Sequence, residues 1–197
     1  LPEGLVEEIG ALSHPPIPWD VKLARWFDQR FEPLTKQRTY ARLSRRQSAT
    51  PDIPRPSWRW EEAAQAGRTF GVLLDTSGSM DRALLAAALG AIASYSAARD
   101  VAQVRVVFCD AAPYDQGYME VSDIAGHVQV RGRGGTVLQP GVELLEQASD
   151  FPKEAPLLII TDCACDRLNL YGRDHAFLVP RGRSLPFPPR GPVFYLE

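Results

Sequence analysis

From Thr69 to the C-terminus, short apolar runs recur, most of them followed by a turn or by a stretch that can be helical. TFGVLLD (69–75), QVRVVFC (103–109), APLLIITD (155–162), HAFLVP (175–180) and PVFYLE (192–197) are too short for buried helices. Most lack the strict polar–apolar alternation of a half-exposed strand, so they read as strands covered on both faces. YMEVSD (118–123) is expected to add another strand. Asp81–Arg99 is rich in Ala and Leu and free of Pro, and Leu138–Ala148 tolerates Pro140 near its first turn, so both are expected to be helices. Strands alternating with helices define an α/β fold: a doubly wound, mostly parallel sheet with helices on both faces. In such sheets ligands sit beyond the carboxyl ends of the strands, near the point where strand order reverses.

Three segments place oxygen-bearing side chains at that edge. The first strand ends in Asp75-Thr76-Ser77-Gly78-Ser79, which puts one carboxylate and two hydroxyls in a tight loop before a helix. Arg131-Gly132-Arg133-Gly134-Gly135-Thr136 is a glycine-rich loop that ends in a hydroxyl just before the second helix. The LLII strand ends in Thr161-Asp162, a second carboxylate. Hydroxyl and carboxylate oxygens are hard ligands, suited to Mg²⁺ with Mn²⁺ or Ca²⁺ as substitutes. Taken alone, the D-x-S-x-S spacing reads equally well as a helix-capping turn. Three pieces in this order, each after the right kind of element, point to a shared metal.

The arrangement resembles the metal-ion-dependent adhesion site of von Willebrand factor A-type (VWA) domains, over residues 69–179. The resemblance implies that Ser77 and Ser79 ligate the cation through their hydroxyls, and that Thr136 does so directly or through a water. Asp75 and Asp162 would hold metal-bound waters or ligate directly. It further implies a vacancy in the metal's shell for an Asp or Glu of a partner protein. Cys163 departs from the pattern, since many VWA domains carry Gly after this aspartate. Asp81 and Asp166 are expected to cap or to be solvated.

Residues 1–67 differ in texture from 68–197 and are expected to form an N-terminal extension packing on the main domain. Trp19–Phe31 has the spacing of a short amphipathic helix, with Val21, Leu23, Ala24, Trp26, Phe27 and Phe31 available for packing. From Arg30 to Arg59 there are eight basic residues against Glu32 and Asp52, and the stretch passes through Pro51, Pro54 and Pro56, which disfavour helix and central strand. This stretch is expected to be an extended arm, anchored by Trp58 and Trp60, whose arginines pair with the acidic surface of its own domain. PPIPW, RPSW and the ending FLVPRGRSLPFPPRGPVFYLE, taken with DTSGSM, are similar to one bacterial VWA-like family. In that family the VWA-like domain closes a longer protein with a metallopeptidase-like part upstream, and members are often associated with MoxR-type AAA+ ATPases. The resemblance implies an adaptor that recruits substrates or partners to such an ATPase; the start at Leu1 is then read as a piece of a longer chain.

Other function classes fare less well. A net charge of −2 gives no wholesale attraction to nucleic acid or membrane, and no apolar run approaches the roughly 20 residues that span a bilayer. Cys109, Cys163 and Cys165 do not make a disulfide framework and read as reduced thiols of a cytoplasmic protein. A zinc site would need two ligands beyond Cys163 and Cys165, and the three histidines are scattered. No His, Lys or third acid stands at a motif-like spacing to serve as general base, so this chain is not expected to be an enzyme. The alternative is that it belongs to a metal-dependent hydrolase or peptidase whose catalytic part lies upstream.

Overall fold

The computed structural model describes residues 6–10, 21–31, 34, 36–42, 55–60, 68–80, 82–125, 127–131 and 135–196. Ten strands and four helices follow in chain order among them. They are β1 (Val6–Gly10), α1 (Val21–Asp28), β2 (Lys36–Arg42), β3 (Arg55–Trp60), β4 (Gly71–Asp75), α2 (Arg82–Ala98) and β5 (Gln103–Cys109). Then come β6 (Pro113–Glu120), α3 (Val121–Ala125), β7 (His127–Arg131), α4 (Gln139–Gln147), β8 (Leu157–Ile160), β9 (His175–Pro180) and β10 (Val193–Leu196).

The apolar runs meet in a six-stranded sheet of order β10-β9-β8-β4-β5-β6. All neighbours are parallel except β6, which returns antiparallel along β5. The chain leaves β4 towards β5 on one side and reaches β8 on the other side later. The carboxyl ends of β4 and β8 therefore flank the switch point, where a doubly wound sheet opens its crevice.

Because side chains alternate along a strand, each run feeds two cores. Val72, Leu74, Val104, Val106, Phe108, Leu158 and Ile160 pack with α2 and α1. Leu73, Val107, Cys109, Leu157, Ile159, Phe177 and Val179 pack with Val142 and Leu145 of α4. Helices thus cover both faces, as the alternation of elements requires. The β8–β9 and β9–β10 connections carry no helix, and Leu168, Leu170, Leu185 and Phe187 of these loops cover the sheet instead.

Gly141 is where α4 comes closest to the sheet. A Cβ there would lie 2.3 Å from Cys109 Sγ and 2.5 Å from Leu73 Cδ1. Gly141→Ala should therefore destabilise the protein by about 1–3 kcal/mol, although the same change in an open helix gains about 1 kcal/mol of helix propensity. A shift of the denaturant midpoint to lower concentration measures it. A stabilised variant would show that the helix does not need this approach.

Several expectations need correction. The strand expected at 118–123 runs instead from Pro113 to Glu120, and Val121 begins α3. It is an edge strand with half-exposed side chains, bulged where the register shifts opposite Val106 and Val107, at a Gly117 of φ 73°. No continuous apolar run marks it. The arm anchored by tryptophans is an antiparallel pair instead: β2 and β3 align with Arg38 opposite Trp58. Trp58 is 61% exposed and anchors nothing. What holds it is the cross-strand guanidinium of Arg38, 5.2 Å from its ring centroid. Pro56 fits because, among the described residues, β3 has a strand neighbour on one side only. Residues 43–54 of the arm and the Trp60 side chain lie outside the described residues, so the expected Trp60 anchor does too. β1 and β7 form a further antiparallel pair that was not expected, and Arg131, expected in the glycine-rich loop, is the last residue of β7.

The expected N-terminal helix is present as α1, and Leu23, Trp26, Phe27 and the following Phe31 are buried in the same core as α2. Their spacing is the apolar stripe of an amphipathic helix. Ala24 is half-buried, and the side chain of Val21 and residues 19–20 lie outside the described residues. Among the described residues no helix is long and apolar enough to cross a membrane.

Candidate functional site

β4 delivers Asp75 to the switch point fully buried. Thr76 pins the following turn to β5, its N–H and Oγ1 donating to the Cys109 carbonyl at 2.7 and 3.1 Å. The Ser77 N–H then donates to Asp75 Oδ1 at 2.9 Å, an Asx-turn that folds the chain back over the carboxylate. This leaves the Ser77 and Ser79 hydroxyl oxygens 3.1 Å apart. The turn closes as the Met80 N–H donates to the Ser77 carbonyl at 3.1 Å, and the Met80 side chain plugs the core.

From the neighbouring strand, Thr161 Oγ1 donates to Asp75 Oδ2 at 2.8 Å. Both Asp75 oxygens are thus held, one by its own loop and one by β8's end. Sequence reasoning counted Thr161 only as the residue before Asp162. Its hydroxyl is what fixes Asp75, and only the pairing of β4 with β8 reveals that. Asp162 is buried and accepts from the Ala164 N–H at 2.9 Å. Cys163, where VWA domains commonly have Gly, adopts φ 73°, the left-handed region that glycine favours. Its N–H donates to Thr161 Oγ1 at 3.2 Å, so the conformation persists with a β-carbon present.

Thr136 lies half-buried in the segment leading into α4. Its successors are tied down: the Val137 N–H donates to the Asp110 carbonyl at 2.7 Å, just past β5. The Leu138 and Gln139 N–H groups donate to the Asp166 carboxylate at 2.7 and 3.3 Å. Asp166 therefore caps α4 from the loop after β8, which is the capping role expected of it. Asp75, Ser77, Ser79 and Asp162 gather around the β4–β8 crevice. Thr136 stands on the same edge, and no hydrogen bond joins it to the other four among the described residues. Gly132–Gly134 and Asp81 lie outside those residues.

Burial pushes the Asp75 carboxyl above its ordinary value, hydrogen bonds from Ser77 and Thr161 oppose this, and the charge of Asp162 adds to it. No basic side chain is among these influences. A buried acid beside a second acid, with a pair of hydroxyls at hand, is a hard-oxygen donor set that a divalent cation would neutralise. Among the described residues no three His, Cys, Asp or Glu side chains cluster to hold a metal. The candidate set draws its remaining oxygens from Ser77, Ser79 and Thr136 instead.

The three thiols are free, and burial raises each, Cys109 and Cys165 to about 12, with the neighbouring aspartates adding to the effect. They stay neutral at physiological pH, so a disulfide-exchange reagent at pH 8 should react far more slowly with the native protein than with the guanidinium-unfolded chain. Equal rates would mean that the packing around β5 and the 163–165 loop is open.

This is a doubly wound α/β protein with an acid-and-hydroxyl cluster at its switch point. A family profile described as a VWA-like domain (DUF2201) matches residues 70–171, and the chain belongs to that family. The match takes in Asp75, Ser77, Ser79, Thr136 and Asp162 and leaves out β1–β3, β9 and β10. No curated protein matches the chain.

Proposed function

We propose that this chain is a metal-dependent protein-binding adaptor, in which Asp75, Ser77, Ser79, Thr136 and Asp162 hold Mg²⁺, with Mn²⁺ or Ca²⁺ as substitutes. The supporting observation is the buried Asp75, fixed through both oxygens beside Asp162 and the Ser77–Ser79 hydroxyl pair. When bound, the cation would supply a Lewis-acidic position able to accept a carboxylate oxygen from outside. The residues do the rest. Ser77 and Thr161 orient Asp75, and the Asx-turn at Asp162 fixes the second carboxylate. The two acids supply the negative charge, and the neutral hydroxyls keep it low enough for an acidic side chain to approach. A partner protein offering Asp or Glu is the ligand this charge balance suits. A MoxR-type AAA+ ATPase is the partner suggested by the resemblance of the lead-in and C-terminal tail. Among the described residues, the groups bearing on Asp75 include no His or Lys placed to act as a general base, which favours binding over hydrolysis in this chain.

Metal saturation should raise the melting temperature. At 100 times Kd the linkage is about 2.7 kcal/mol, or roughly 5–10 °C for a chain of this size. Thr136→Ala should weaken both this shift and the chelator-sensitive capture of an Asp- or Glu-bearing partner. Identical melting curves with Mg²⁺, with Mn²⁺ and with chelator would overturn the reading.

A further inference from the structure

The chain crosses from β8 to β9 and from β9 to β10 without a helix, so loops alone cover one face of the sheet there. Between the 167–173 and 187–190 segments they leave a cavity of about 390 Å³, a size suited to a small molecule. Phe177 of β9 meets Phe187 edge-on with ring centroids 5.9 Å apart, and Tyr171 adds a third ring to the wall. Charge in the wall is one-sided. Arg167, Arg173 and Arg190 line the cavity, and no acid does among the described residues. Arg173 is fixed in place: its Nε pairs with Glu146, and its Nη1 donates to the Pro152 and Ala155 carbonyls at 2.8 Å. Its Nη2 has no hydrogen-bond partner among the described residues, although the side chain is 2% exposed. Arg167 and Arg190 are exposed, and neither side chain has an ion-pair or hydrogen-bond partner among the described residues.

We infer that this cavity binds a small aromatic acid, a flat ring carrying a carboxylate or a phosphate. The ring would lie against Tyr171, Phe177 and Phe187, and the anionic group would be held by Arg167 and Arg190. Guanidinium groups recognise carboxylate and phosphate through paired N–H donors, and these two have no acid to neutralise them. Arg173 is already paired with Glu146, so it shapes the wall rather than adding net charge. Glu143 and Glu146 line the adjoining cavity beyond Arg173, and their charge confines an anion to the Arg167–Arg190 side. An uncharged aromatic would use the rings alone, and an inorganic anion the arginines alone. A molecule with both groups uses the whole wall. The inference stands apart from the metal site and uses none of its residues.

Isothermal titration calorimetry tests it on the full chain in metal-free buffer, so that no cation near Asp75 attracts the acid. The probes are 2-naphthoate and 2-naphthyl phosphate, and the tighter of the two shows which anionic group is taken. That probe should bind about 10-fold or more tightly than 2-naphthylmethanol, which has the ring without the charge, and than inorganic phosphate. Arg167→Gln and Arg190→Gln should each weaken it by about 3- to 10-fold, with melting temperatures that match the parent because both side chains are exposed. Tyr171 is 57% exposed at a φ of 50°, a left-handed backbone that Asn also tolerates. Tyr171→Asn should therefore keep the fold and weaken binding by about 2- to 10-fold. Failure of both acids to bind would overturn the inference. So would equal affinity for 2-naphthylmethanol, which marks an apolar cavity alone, or for inorganic phosphate, which marks a cationic surface alone. Binding that survives both arginine changes unaltered would place the acid elsewhere and overturn it too.

Discussion

Asp75→Asn should abolish the metal-dependent rise in melting temperature while making the metal-free protein more stable than the parent at neutral pH. The opposite signs come from one cause. Asp75 is fully buried, and its carboxyl is held above its ordinary value of 3.8 by desolvation and by the charge of Asp162. As pH rises above that value, the unfolded chain gives up its proton while the folded chain still keeps it. The folded state then binds more protons than the unfolded one, so stability falls with rising pH across the window between the two values and levels off above the folded one. Asparagine has the shape of the acid without the charge. Its Oδ1 can still accept from the Ser77 N–H, and the Thr161 hydroxyl can accept where it now donates. Burial then carries no charge penalty, and the downward slope with pH should disappear from a series of unfolding curves. The same change removes an anionic ligand, so added Mg²⁺ or Mn²⁺ should leave the curve where it is. A variant that loses stability without metal, or still responds to it, would contradict the assignment of Asp75.

Phe27→Ala should cost about 3–5 kcal/mol, lowering the melting temperature by roughly 6–20 °C. Phe27 is 1% exposed and central to an aromatic cluster. It stacks on Tyr95 of α2 with centroids 3.9 Å apart, lies 5.2 Å from Phe70 at the mouth of β4 and meets Trp26 edge-on at 4.7 Å. Removing the ring leaves a cavity that three large side chains on three segments would have to close together. Trp26 and Tyr95 are fixed on α1 and α2, and Phe70 directly precedes β4, which limits how far each can shift. Calorimetry or a denaturant titration reads the change. A loss below about 1 kcal/mol, the size expected of an exposed site, would mean that α1 lies on the surface of the fold. The stacking predicts otherwise, and a chain cut at residue 68 should then expose Phe70 and Tyr95 to water.

The elements that were legible in the sequence share one property. β5 and β9 have the bounds their apolar runs suggest, and β4 and β8 lie within theirs. Each is covered on both faces, so burial is written into consecutive residues. α1 was legible because Leu23, Trp26, Phe27 and Phe31 repeat at helical spacing. Asp75, Ser77, Ser79 and Asp162 were legible as candidates because each ends or closely follows such a run, at the edge where a doubly wound sheet opens.

What the tertiary structure alone decided is of another kind. Among the described residues β6 is an edge strand, β2 pairs with β3 and β1 pairs with β7, so each has a single strand neighbour and leaves little trace in a single segment. The grip of Thr161 on Asp75 joins residues 86 apart in sequence, and the cap that Asp166 places on α4 joins residues 28 apart. The left-handed backbone at Cys163 goes against the preference of its own side chain. A sequence records how often a residue must be buried and with what period, because those pressures act locally. Which hydroxyl meets which carboxylate depends on strand order, and strand order is a property of the assembled sheet.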